Sequence, residues 1–136
     1  MPMTLFTKII NGEIPSYKIA ESDKFFAFLD INPLVEGHTL VVPKLEVDKF
    51  LEMPDGYLSE ILLFARPVAA AIERAIPCKR CGLSVIGLEV PHAHLHLVPL
   101  NSMEDINFTR KKKSPSKEEL KNTQEKILKA LTQIME

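Results

Sequence analysis

Cysteine is scarce in this chain of 136 residues, with Cys78 and Cys81 alone. The start, Met1-Pro2-Met3-Thr4, has no basic stretch followed by an apolar run, so no secretory signal is visible. The two thiols are therefore expected to be reduced, in a cytoplasmic protein. Long hydrophobic runs are missing too: Ile61 to Ala65 is among the longest, far short of a bilayer span. Neither sign of charge is in excess. A net charge of −1 and a pI near 6.4 give no global electrostatic reason to expect nucleic acid or a membrane as partner. No repeat, low-complexity tract or linker divides the sequence, which is expected to form a single domain over residues 1–136. With 46% apolar and 26% charged residues, it has the make-up of a globular domain able to bury its own core.

The pattern along the chain predicts α+β architecture with a largely antiparallel sheet of about five strands. A short helix is expected over Thr4 to Ile10, capped by Thr4 and closed in left-handed conformation at Asn11-Gly12. Tyr17 to Glu21 and Phe25 to Asp30 read as strands around the turn Ser22-Asp23-Lys24. Asn32 to Gly37 reads as a loop. His38 to Val42 reads as a central strand that Pro43 closes. Asp55 to Ile76 carries a helical apolar period and predicts one long central helix, kinked at Pro67 and ended by Pro77. Leu83 to Leu88 and Ala93 to Leu100 are two further strands, and Asn101 to Pro115 is irregular. Ser116-Lys117-Glu118-Glu119 is a capping-box signal for a terminal amphipathic helix over about 116–135, apolar at Leu120, Ile127, Leu128, Leu131 and Ile134.

Three features carry chemistry. Cys78-Lys79-Arg80-Cys81 has a spacing that suits zinc or redox work, yet no second pair accompanies it and no thioredoxin-like surroundings support it. Plain turn residues entering a strand are the simpler reading. Arg110-Lys111-Lys112-Lys113 is either a solvated loop or a phosphate-binding patch. The third feature is His92-Ala93-His94-Leu95-His96-Leu97, which holds three of the four histidines at alternate positions. On a strand the imidazoles share one face while Ala93, Leu95 and Leu97 share the other, which predicts a half-buried strand with an imidazole face open to solvent.

Three roles compete for this row. It can be structural, with each ring hydrogen-bonded in place. It can bind metal, but His92 and His96 stand about 13 Å apart at a rise of ~3.3 Å per residue. Zinc needs ligand nitrogens about 2 Å away, so three rings on one ion are excluded. A site using His38, His92 and the cysteines stays open. Or the row can do nucleophilic catalysis at phosphorus, one neutral imidazole attacking while its neighbours hold phosphate oxygens. His94, with an imidazole on each side, is then the natural nucleophile.

The segment Val90 to Pro99 resembles the signature of the histidine triad (HIT) family. Lys8 to Ser16, Phe28 to Pro33 and Gly37 to Lys44 resemble its preceding segments, so the likeness runs over about residues 5–100. It implies a homodimer with a continuous sheet and reaction at the α-phosphate of a nucleotide conjugate, a purine favoured as base. It also implies a covalent nucleotidyl intermediate on His94, a phosphate contact from His96 and support from His92. Asp30 falls where the family binds ribose hydroxyls, and Leu29 and Ile31 where it cradles the base. Gly87, Leu88 and Glu89 fall where its pre-triad loop meets the phosphates.

The chain departs from the pattern in three places. Thr4 and Thr7 replace a cysteine pair that binds structural zinc in many bacterial relatives, so no cofactor is expected and His38 becomes a hydrogen-bonded core histidine. Leu88 stands about where glutamine is usual, and the segment before the triad is short. Lost donors of that kind cost about 2.7–4 kcal/mol of transition-state stabilisation. Turnover would then drop about a hundred- to a thousandfold unless Arg110 to Lys113 folds over the site to compensate. Leu100 replaces a common arginine.

Overall fold

The computed structural model describes residues 3–136. Five strands form one antiparallel sheet: β1 (Lys18–Glu21), β2 (Phe25–Leu29), β3 (Thr39–Pro43), β4 (Arg80–Ser84) and β5 (Leu95–Leu100), in the order β1-β2-β3-β5-β4. The helices are α1 (Leu5–Ile10), α2 (Asp55–Leu58), α3 (Ile61–Ala75) and α4 (Lys117–Met135), with 3-10 turns at Phe50–Glu52 and Met103–Ile106. The architecture is the expected α+β.

Period-two alternation assigns each strand residue to one of two cores. Ile19, Phe25, Ala27, Leu29, Val41, Leu95 and Leu97 face α3 and α4, where Ile61, Ala65, Val68, Ile72, Ile127 and Ala130 complete the larger core. Phe26, Phe28, Leu40 and Val42 point the other way, onto Phe6 of α1. Phe28 pairs with Leu40, Leu40 with His96 and His96 with Ser84, so this row crosses the α1 face of the sheet. Burying both faces of a five-stranded sheet requires the two short, fully buried strands β2 and β3 at its centre.

Local signals set the helix ends. The Thr4 side chain accepts the Thr7 N–H at the start of α1, and Asn11 closes it in right-handed conformation, leaving Gly12 as the left-handed residue at φ 80°. Ser116 and Glu119 make both bonds of the capping box of α4.

Two expected elements differ. The long helix over Asp55 to Ile76 is divided, and the break lies at Ser59-Glu60 rather than at Pro67. Glu60 N–H bonds to the Tyr57 carbonyl in a tightened turn, and its carboxylate is tied to Lys24 of a neighbouring turn at 2.5 Å. Pro67 is accommodated inside α3, because the carbonyl it leaves unpaired belongs to the exposed Leu63 and can be hydrated. The strand expected over Leu83 to Leu88 runs instead over Arg80–Ser84, and residues 85–94 form an irregular loop before β5. Gly87 at φ 77° and Pro91, which has no N–H, end the ladder there.

Candidate active site

The loop before β5 is pinned to the sheet at two places. The N–H of Ala93 donates to the Val47 carbonyl at 2.7 Å, and His92 Nε2 meets the Pro43 carbonyl at 2.8 Å. Ala93, Leu95 and Leu97 enter the large core, so the three histidines face α1 together, although β5 itself begins only at Leu95. Their expected open face is closed. His92, His94 and His96 are 0%, 6% and 7% exposed. Phe6 stands edge-on to His92 and His94, with centroids 5.7 and 5.1 Å away, and Phe108 packs 4.6 Å from His96. The two phenylalanines come from α1 and from the segment after β5, which a reading of the strand alone does not include.

The hydrogen bonds assign each ring its tautomer, because a carbonyl only accepts and a backbone N–H only donates. His92 Nε2–H donates to the Pro43 carbonyl, so its Nδ1 accepts from the Thr4 hydroxyl at 2.7 Å. His94 Nδ1–H donates to the carbonyl of His92 at 2.7 Å, which leaves the lone pair on Nε2. The third assignment passes through His38. Its Nδ1 accepts from Leu34 N–H at 3.1 Å, so its Nε2–H donates to His96 Nδ1 at 2.9 Å. His96 then carries its own proton on Nε2. A lone pair on His94 and an N–H on His96 lie in rings 4.9 Å apart, and no buried side-chain nitrogen or oxygen among the described residues lacks a partner.

Burial favours the neutral form of His38, His92 and His96. It lowers His38 to about 4 and His96 to about 3, and it lowers His92 as well, against the opposing carbonyl of Pro43. His38 is a hydrogen-bonded core histidine, as the sequence suggested.

Asp30 follows β2 at the end of the row. One carboxylate oxygen accepts Asn32 N–H at 2.9 Å and the other lies 3.9 Å from His38 Nε2. Burial raises its pKa. Ile31 is exposed beside it. Leu29 is not: its side chain packs in the large core on the opposite face, and Phe28 occupies the histidine side instead. Successive residues of β2 point to opposite faces, so Phe28 has the orientation that the expectation gave to Leu29.

The segment after the second 3-10 turn crosses the same end of the row. Arg110 reaches back to the Glu104 carbonyl at 2.5 Å, and Lys113 N–H donates to the Pro33 carbonyl at 2.9 Å. Between these anchors Lys112 extends to Glu89, with Nζ 3.2 and 3.3 Å from the two carboxylate oxygens. Gly87 is open, and Leu88 is 88% exposed. Of the three pre-triad residues, Glu89 alone is tied across the site.

Residues 11–103 match the family model of the HIT domain. A HIT-like protein of Borreliella burgdorferi is 38% identical over 113 residues, covering 78% of this chain and 81% of that protein. The chain belongs to the HIT family. Adenosine 5′-monophosphoramidase HNT1 of Saccharomyces cerevisiae is 37% identical over 100 residues, 70% of this chain and 61% of that protein. A HIT-like protein of Bartonella henselae shares the fold with a TM-score of 0.81 at 27% identity, covering 93% of this chain and 95% of that one.

Two further sets of residues bear on what this HIT domain can hold. Thr4 and Thr7 gather at His92 and Glu46, not at His38, and the Thr4 hydroxyl is engaged by the imidazole. Neutral hydroxyls do not replace thiolates around zinc, so this corner does not fit that ion. Asp30, His38 and His96 offer donor atoms within 4.8 Å of one another. To bind a cation there, His38 would move its proton from Nε2 to Nδ1, against Leu34 N–H, so this group also fits a metal poorly. Neither His92 nor the cysteines join it. Cys78 lies before β4 and Cys81 within it. Burial, with Glu73 beside it, pushes Cys81 up to about 12 and raises Cys78, which makes both poor thiolates. No helix among the described residues is long and apolar enough to cross a membrane.

Proposed function

We propose that this HIT protein cleaves nucleoside 5′-phosphate conjugates, phosphoramidates or dinucleoside-type compounds, at the α-phosphate. The carrying observation is the pair of tautomers: Nε2 of His94 presents a lone pair, and Nε2 of the adjacent His96 presents a proton. His94 Nε2 forms a bond to phosphorus as the bond to the leaving group breaks; the leaving group departs with that electron pair, an amine taking its proton from solvent, and a nucleotidyl-histidine remains. His96 donates to a non-bridging oxygen as its negative charge grows. The imidazolium that forms on His94 keeps its Nδ1–H on the His92 carbonyl, which stabilises the new charge. Water then opens the adduct and releases the nucleoside monophosphate. His92 acts through position, held by Thr4 and Pro43.

In this reading Asp30 accepts ribose hydroxyls, and the exposed Ile31 beside it offers an apolar side chain for a purine. The likeness to the yeast phosphoramidase supports this substrate class. The reaction needs no metal in this reading. The family likeness supports a homodimer, and the free thiols support a reducing compartment such as the cytoplasm. A second reading, a nucleotide-binding module with little turnover, has one observation in its favour: Leu88 offers no side-chain donor near the phosphates.

Adenosine 5′-phosphoramidate separates the two. Quenched early, the enzyme is expected to carry an adenylyl mass on a peptide containing His94, lost in His94→Ala. Measurable binding with neither adduct nor AMP sinks the enzyme reading and leaves the module.

A further inference from the structure

A phosphate ester at the histidine row meets little positive charge from His38, His92 and His96. Burial keeps His38, His92 and His96 neutral, and Asp30 adds a carboxylate nearby. The pre-triad loop does not make up the deficit, because Leu88 is apolar and turned to solvent and Glu89 is itself an anion. Lys112 is the lysine whose charge bears on Asp30, His38 and His96 alike. Its position is not that of a free surface lysine. The segment that carries it is anchored on one side by Arg110 to the Glu104 carbonyl and on the other by Lys113 N–H to the Pro33 carbonyl. Asn32 adds a bond to the Lys113 carbonyl at 3.4 Å, and Phe108 seats the segment on His96 and His38. A backbone held at both ends and packed on His96 carries one ammonium group across this end of the row to Glu89.

We infer that Lys112 is the phosphate-binding cation of this site, and that Glu89 occupies its ammonium until the phosphate of a substrate displaces the carboxylate. This rests on the nucleotide reading above and adds to it the source of charge for the phosphate. Glu89 presents both oxygens to Nζ at 3.2 and 3.3 Å, as a phosphate would. The Glu89 side chain is 76% exposed and that of Lys112 30%, and an ion pair with so exposed a partner is weak and readily exchanged. An ammonium offers three donors and no fixed fork, so it can follow the phosphate from ground state to transition state. The donor missing from the loop before the triad is thereby supplied from the segment after it.

Calorimetric titration of the full chain with AMP and with adenosine tests this. Lys112→Met is expected to weaken AMP at least tenfold and leave adenosine unchanged, and Lys112→Arg to restore most of the AMP affinity. Glu89→Gln, which removes the competing anion, is expected to tighten AMP a few-fold, and to do nothing once Lys112→Met is present. If Lys112→Met binds AMP like the unmodified chain, or loses AMP and adenosine equally, the assignment to phosphate is overturned while the nucleotide reading stands. If the unmodified chain binds neither AMP nor adenosine, the nucleotide reading falls and takes the assignment with it.

Discussion

Thr4 shows how one side chain can serve two levels of the structure. Its oxygen accepts the Thr7 N–H that starts α1, and its proton goes to His92 Nδ1 across 88 positions of sequence. The helix that carries Phe6 onto the imidazoles is thus tied to the first of them. Thr4→Val keeps the shape but removes both bonds and leaves a buried imidazole nitrogen without a donor. It is expected to lower stability by about 1–2 kcal/mol, read as a shift in the urea midpoint, with Thr4→Ser close to the unmodified chain. A midpoint unchanged in Thr4→Val would mean that the cap and the His92 bond contribute nothing net. The cap was legible in the sequence, since threonine before an apolar run is a local signal. The bond to His92 was not, because no periodicity links residues 4 and 92.

At the scale of elements, the sheet has one edge that invites a partner. Among the described residues β4 pairs only with β5, and Leu83 on it is exposed, as are Val85 and Ile86 just beyond. An unpaired edge with apolar side chains is a template for another strand. Such an edge supports the homodimer proposed above. Leu83→Lys is expected to reduce the mass in light scattering from two chains to one at micromolar concentration. A single-chain mass for the unmodified protein would refute the dimer outright. The strand pattern placed each end of β1, β2, β3 and β5 within two residues of where it lies. It misplaced β4, because Ser84-Val85-Ile86 has the composition of a strand while Gly87 and Pro91 withhold the geometry for one. It also joined α2 to α3, since the apolar period continues across Ser59 and Glu60 and the Lys24 ion pair that accompanies the break is tertiary.

For the whole molecule, the buried histidines make stability depend on pH. His38 and His96 are lowered by burial to about 4 and about 3, below the usual value near 6.5 of the unfolded chain. Between those values the unfolded state binds more protons, so stability is complete above pH 6.5 and falls as pH drops toward 4. The loss is about 1.4 kcal/mol per pH unit for each of the two rings. His92 adds in the same direction. Asp30, raised by burial, opposes it, because its carboxyl is easier to bury once protonated. Urea midpoints at pH 7.5, 6 and 5 are expected to fall monotonically, and His38→Gln should flatten the curve. A midpoint that holds steady down to pH 5 would rule this account out.

The sequence by itself determined the two-sided alternation that sends Ala93, Leu95 and Leu97 into the core and the imidazoles to the other face. It also determined the caps of α1 and α4 and the family of the fold, because each is written in neighbouring residues or in a matched order of segments. Only the tertiary structure decided which nitrogen of each imidazole holds the proton, since the deciding partners, Thr4, Leu34 and Pro43, lie far along the chain. It decided too that the row is roofed by Phe6 and Phe108, and that Lys112 crosses to Glu89. These come from irregular or distant segments whose places follow from long-range packing, which local pattern does not encode.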